Sequence, residues 1–153
     1  MNALELKIPP VAQIIITAAV MYGASKIIPS LQFDFDGTNT LVIGLSIIGL
    51  GSGVMGVAQF KKAQTTVNPH TPEKSTNLVT RGIYQYTRNP MYLGLVLILL
   101  GWAFYLSHFL PFMLVPVFMI YMTRFQIQPE ERMMTQKFGI EYQDYIAKVR
   151  RWI

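Results

Sequence analysis

Four long apolar runs constrain this chain more than any other feature. Ile8–Ile28, Thr40–Phe60, Met91–Ser107 and Leu110–Ile127 approach the ~20 residues that a bilayer-spanning helix needs, the third at the short end. They leave little room for anything else in 153 residues, of which 52% are hydrophobic and only 14% charged. A mean hydropathy of +0.34 is unusual for a soluble globule. The expected fold class is therefore all-α integral membrane: one domain over residues 1–153, four transmembrane helices and a helical tail over 129–153. Pro9, Pro10, Pro111 and Pro116 are compatible with such helices, because neighbouring groups in a bilayer protein re-satisfy freed carbonyls.

Charge orients the runs. Lys61, Lys62, Lys74, Arg81 and Arg88 lie between the second and third, and Arg124, Arg132, Lys137, Lys148, Arg150 and Arg151 follow the fourth. The first connection carries only Lys26 beside Asp34 and Asp36, and the third carries no Lys or Arg. The positive-inside bias places both termini and the central loop in the cytoplasm. The pI near 9.6 then reflects topology and contact with anionic headgroups of membrane lipids, and no nucleic-acid partner is expected. The first run is longer than a signal-peptide core and follows Glu5, so a cleaved signal is not expected either. The absence of cysteine removes thiolate chemistry and disulfides. His70 and His108 are isolated from other ligand-type residues, so no metal site is expected, and His108 reads as an interfacial residue of the outer hairpin.

Polar residues concentrate at two places. One is Leu78-Val79-Thr80-Arg81-Gly82-Ile83-Tyr84 with Thr87-Arg88-Asn89-Pro90-Met91-Tyr92-Leu93-Gly94; the other is Pro129-Glu130-Glu131. The basic and aromatic residues of the first also suit a topology signal and an interfacial belt. The glutamates add nothing to topology, and juxtamembrane carboxylates mark functional sites; their plainer role is to complement a helix N-terminus starting at Pro129. Gly139 is expected to end that helix. Tyr142, Tyr145, Ile146 and Val149 then form an apolar stripe on a second one, which caps the bundle or lies on the inner leaflet. The Thr-, Pro- and Lys-rich stretch Lys61–Asn77 reads as an irregular loop, and Pro90 as the first turn of the third span. The third and fourth runs form a tight hairpin. Gly51-Ser52-Gly53-Val54-Met55-Gly56 fits a dinucleotide-binding pattern, but it lies inside a spanning run with no preceding strand. Gly49 and Gly53 read instead as close-packing positions.

Taken together, the loop motif and the tail Glu130-Glu131 … Phe138-Gly139-x-x-Tyr142-x-x-Tyr145-x-x-x-Val149-x-Arg151 resemble the isoprenylcysteine carboxyl methyltransferase family and its phospholipid methyltransferase relatives. The resemblance runs from about Lys61 to the C-terminus. It implies an integral-membrane enzyme that uses S-adenosylmethionine, held in a cytoplasmic pocket closed by the C-terminal helices. By the same resemblance, Leu78 and Val79 offer backbone contacts, and Tyr84 lines the cofactor. Asn89, Pro90, Met91 and Tyr92 form the turn around it, and Glu130 binds its ammonium. Arg88 and Glu131 are the catalytic candidates. Two departures stand out. Asn89 replaces a frequent histidine, and Gln126 occupies the place of the substrate-side arginine, for which Arg124 or Arg88 could stand in.

The expected activity is methyl transfer to a lipidic or small-molecule acceptor, in a bacterial or archaeal cell membrane. A carboxylate acceptor is already ionised, whereas an amine needs a base for which only the tyrosines or Glu131 offer, and this mildly favours the carboxylate. The alternatives are phospholipid N-methylation and a non-catalytic subunit or small transporter binding anionic headgroups.

Overall fold

A computed structural model describes residues 5–64 and 77–153. His70, Lys74 and most of the Lys61–Asn77 loop lie outside the described residues. Among those described, all regular structure is helical, with one isolated bridge between Gln32 and His108. Six α-helices follow in order: α1 Pro10–Ala24, α2 Thr38–Lys62, α3 Pro90–Tyr105, α4 Phe109–Met122, α5 Gln128–Phe138 and α6 Ile140–Lys148. Two are long and apolar enough to cross a membrane: α2, and the rod Phe109–Phe138 in which α4 runs on into α5.

The two shorter apolar helices differ from the expected spans for local reasons. Pro9 is extended and Pro10 opens α1, where a missing N–H and fixed φ suit the first turn. Fifteen residues rise only ~22 Å, less than the ~30 Å hydrocarbon thickness. Pro90 opens α3 in the same way, as expected from its sequence position. That helix ends where Ser107 takes a left-handed φ of 47° and turns the chain into α4. Ile15, Ile16, Ile43, Ile47 and Val54 are all more than half exposed, an apolar exterior that a membrane, not water, would tolerate.

α2 and α3 form the most extensive pairing, and glycine explains it. A Cβ on Gly49 would meet the Gly94 carbonyl oxygen at 2.7 Å, and one on Gly94 would collide with the Gly49 carbonyl. Gly49 thus packs closely on Gly94, as expected of a close-packing position; the Gly53 backbone N lies 3.4 Å from where a Gly94 Cβ would be, although a Cβ on Gly53 itself would meet open space. The core lies among α1, α3 and α4, where Met21, Val96, Leu99, Val115, Phe118 and Met122 pack together, and Trp102 Nε1 donates to the Ala18 carbonyl at 3.1 Å. His108 lies in the α3–α4 hairpin as expected, but its side chain is fully buried in the protein. Its Nδ1 accepts from Leu110 N at 3.1 Å, so Nε2 carries the proton and donates to Ile28 O at 2.8 Å.

The α4–α5 rod corrects the expected start of a new helix at Pro129. Thr123–Ile127 is a π-helical turn joining α4 to α5 without a break. Pro129 has no N–H for the Phe125 carbonyl, and the wider turn makes room for its ring. That carbonyl accepts from Leu6 N at 3.0 Å instead. Glu130 and Glu131 therefore sit inside a continuous helix, with no free N-terminal dipole to complement. Gly139, at φ 54°, breaks the rod as expected. Val149 is extended and falls outside α6. Of the expected stripe only Tyr142 and Tyr145 are buried, while Ile146 stays 37% exposed.

Candidate functional site

The polar loop before α3 is fixed from three sides. Gly82, at φ +64°, lies against Gln59 of α2 so closely that a Cβ would collide with the amide. This permits the single turn of 3₁₀-helix Gly82–Gln85, which buries Tyr84. The Tyr84 ring meets Phe60 edge-on at 5.5 Å, and its backbone carbonyl accepts from the Tyr145 hydroxyl at 2.7 Å. Gly56 brings α2 alongside: a Cβ there would lie 2.8 Å from Met91 Cγ and 3.4 Å from the Tyr84 hydroxyl. One turn earlier, Ser52 Oγ donates to the Pro90 carbonyl at 2.6 Å.

Two carboxylates, adjacent in sequence, have opposite surroundings. Glu131 is saturated by cations: Arg88 Nη2 donates to Oε1 at 2.8 Å, and Arg151 donates through Nε at 3.0 Å and Nη2 at 2.7 Å. Among the described residues, Glu130 has only neutral donors. The Tyr92 hydroxyl and Gln126 Nε2 both reach its Oε1 at 2.7 Å. Glu130 keeps some accessible surface as a residue, yet its carboxyl group, just past the apolar part of the rod, is desolvated. Burial pushes its pKa up from 4.5 to about 8, against the opposing pull of the two hydrogen bonds, with a further push from the Glu131 charge. Burial likewise raises the Tyr84 hydroxyl above its usual range, assisted by Tyr145 and Glu130. That makes it a poor base.

Unused polar atoms converge on Glu130. Gln126 is completely buried, and its Nε2 is the atom that donates to Glu130. Its Oε1 then has no partner, and neither does the Tyr84 hydroxyl. Buried atoms of this kind are rare and call for a missing partner. The π turn supplies the register that points Gln126 inward beside Glu130.

The C-terminal segment closes this region. Arg88 N donates to Arg150 O at 3.0 Å, and Asn89 Nδ2 and Thr87 Oγ1 donate to Arg151 O at 2.8 and 3.4 Å. Trp152 Nε1 reaches Thr123 Oγ1 at 3.2 Å. Of the residues expected from sequence, Tyr84, Arg88, Asn89, Pro90, Met91, Tyr92, Gln126, Glu130 and Glu131 thus lie in one connected region. Leu78 and Val79 line a cleft of about 390 Å³ with Gln59, Lys62 and Arg81. Arg124 is not hydrogen-bonded into the cluster; its guanidinium pairs with Glu5 at 3.4 Å. Sequence reasoning missed Ser52, the site role of Arg151, and Trp152. The partners of Ser52, and of the loop that Arg150 and Arg151 hold, are backbone carbonyls, which carry no side-chain signature; the paired glutamates Glu130-Glu131, followed at the chain's far end by Arg150-Arg151, were the available hint for Arg151.

Residues 39–141, more than half of the chain, match the profile of the phospholipid methyltransferase family. The chain belongs to that family. The match spans α2 to the start of α6, and so contains every residue of the cluster except those of the C-terminal segment. Membership in the family implies an enzyme of methyl transfer associated with a membrane. An uncharacterized protein of Haemophilus influenzae is 46% identical over 63 residues, 41% of this chain and the whole of that protein. No solved structure matches the chain.

Proposed function

We propose that this phospholipid methyltransferase family member transfers a methyl group from S-adenosylmethionine to a lipidic acceptor reached from the membrane. The observation that carries the donor assignment is the contrast between the glutamates: Glu131 is neutralised by two guanidiniums, while Glu130 is desolvated and faces only neutral donors. An uncompensated carboxylate is a strong site for an ammonium, which forms a charge-assisted hydrogen bond there. The orphaned Gln126 Oε1 and Tyr84 hydroxyl fit a ligand with further N–H or O–H donors. When bound, S-adenosylmethionine supplies a methyl carbon already activated by its sulfonium.

The protein's tasks are then alignment and exclusion of water. Glu130 holds the ammonium end, Tyr92 and Gln126 aim its carboxylate, and Tyr84, Pro90 and Met91 form the wall beside α2. Arg88 and Glu131 act as positioning residues: their ion pair, completed by Arg151, ties the Asn89–Pro90 turn to the tail. Leu78 and Val79 offer their backbone from the neighbouring cleft. The architecture in this reading is four membrane-inserted helical segments, with both termini and the loop before α3 on the cytoplasmic side and the tail closing the pocket.

A phospholipid amine is the acceptor this arrangement favours, reversing the lean drawn from sequence. Gln126 is neutral where an arginine would recognise a carboxylate; Arg88 and Arg151 are both bound to Glu131, and Arg124 is turned away from the cluster toward Glu5. The amine reacts in its deprotonated fraction, having lost its proton to solvent. The test is incubation of purified protein in native lipids with methyl-labelled S-adenosylmethionine, followed by identification of the labelled molecule. Label in an aminophospholipid supports this reading; label in a carboxyl ester restores the other. No label, and no binding of S-adenosylhomocysteine by folded protein, would leave the non-catalytic headgroup binder.

A further inference from the structure

A groove between α1 and α4 lies apart from the glutamate cluster. It has a volume of about 300 Å³ and is lined by Ile16, Val20, Leu114, Val117 and Tyr121, with Gln13 in its wall. Gln13 is 6% exposed, and its Nε2 donates to the Ile8 carbonyl at 2.9 Å. A carbonyl can only accept, so this bond fixes the amide orientation, and the atom left over is Oε1. It has no partner. A buried carbonyl without a donor carries its full desolvation cost, in a groove that otherwise offers almost only hydrocarbon.

The end of the groove near Ile8 is charged. Ile8 also lines it, and the preceding Glu5 is clamped by Arg132 at 2.7 Å and Arg124 at 3.4 Å. Both guanidiniums remain nearly half exposed, at 49% and 45%, and Lys7 between Glu5 and Ile8 is exposed. Arg124 stands three residues beyond Tyr121 on the same helical rod. Among the described residues here, two guanidiniums share one carboxylate, with Lys7 exposed nearby in the chain. The surplus favours a net negative headgroup and disfavours an ammonium.

We propose that the α1–α4 groove binds an anionic phospholipid whose headgroup carries hydroxyls. An acyl chain lies along Ile16, Val20, Leu114 and Val117, a headgroup hydroxyl donates to Gln13 Oε1, and Arg124 and Arg132 attract the phosphate. None of the groove's lining belongs to the Glu130 cluster, so the site stands whether or not the methyl-transfer reading does.

Native mass spectrometry of the detergent-purified full chain tests this, with dioleoyl phosphatidylglycerol and dioleoyl phosphatidylethanolamine as probes. Wild type should retain phosphatidylglycerol at least ~10-fold more strongly, since one good charge-assisted contact is worth about that factor. Gln13→Leu and, separately, Val117→Trp should each reduce its retention to the phosphatidylethanolamine level, and Arg132→Gln should weaken phosphatidylglycerol more than phosphatidylethanolamine. Val117 is 57% exposed, so tryptophan there fills the groove without disturbing the core. If Gln13→Leu fails to fold, Val117→Trp decides. Equal retention of both lipids by wild type overturns the proposal, as does Val117→Trp holding phosphatidylglycerol as wild type does.

Discussion

Replacing Glu130 by glutamine should make the ligand-free protein more stable and its cofactor binding weaker. Oε1 of glutamine can still accept from Tyr92 and Gln126, which reach that atom at 2.7 Å, so shape and both hydrogen bonds persist while the charge disappears. The carboxyl's pKa is raised from 4.5 to about 8 by burial. The folded state therefore holds a proton that the unfolded chain releases between those values, and stability falls as pH rises across that window. At ~1.4 kcal/mol per tenfold change in proton affinity, the full cost above pH 8 has an upper bound of about 5 kcal/mol. Local relaxation and water penetration reduce it, and ~2–3 kcal/mol is the expected gain for Glu130→Gln. For a chain of this size, each kcal/mol moves the melting temperature by ~2–4 °C. Thermal unfolding in detergent at pH 8.5 should thus place the variant ~4–12 °C above wild type, and at pH 5 the two should nearly coincide. Calorimetric titration with S-adenosylhomocysteine should show roughly ten- to hundredfold weaker binding. Wild-type affinity should rise between pH 6 and 8 as the ligand's ammonium displaces the carboxyl proton, and that rise should be absent from the variant. A variant that melts at or below wild type at pH 8.5, or that binds ligand equally well, would refute the reasoning.

Three further outcomes follow from other contacts. Gly94→Ala should lower stability by about 1–3 kcal/mol through overpacking, because its Cβ meets the Gly49 backbone; denaturation in detergent measures this, and Gly53→Ala, where space is open, is the control. Glu131→Gln leaves the Arg88 and Arg151 guanidiniums partly unpaired, with side chains 11% and 33% exposed; discounted for that exposure, the loss is roughly 1–3 kcal/mol. Limited proteolysis should then cut the Val149–Ile153 tail faster than in wild type. Because the chain has no native cysteine, a cysteine replacing Asp36 should react with an impermeant thiol reagent in intact cells and one replacing Lys61 should not; the reverse pattern would invert the topology.

Sequence alone determined what depends on composition and local backbone chemistry. The apolar runs dictated helices, because hydrocarbon surroundings leave backbone groups no other partners. Pro90 and Gly139 set element ends because one lacks an N–H and the other tolerates positive φ. The clustering of polar residues around Arg88–Tyr92 and Glu130–Glu131 marked the site, since charges beside apolar runs are costly to keep. Tertiary structure decided the rest. Whether Glu130 or Glu131 is the free carboxylate depends on the return of Arg151 from 20 residues away, and no local pattern records that return. The π turn that places Gln126 beside Glu130 depends on Leu6 N capping the carbonyl that Pro129 leaves open. Gly49 was legible as a close-packing position, but its partner Gly94 was not, because a close helix crossing is a property of two surfaces, not of one sequence. His108, placed by sequence at the outer hairpin, is a buried double hydrogen-bonding link because Ile28 presents its carbonyl from another helix connection. Each of these outcomes turns on a backbone carbonyl or a distant side chain, and such partners exist only once the chain has folded.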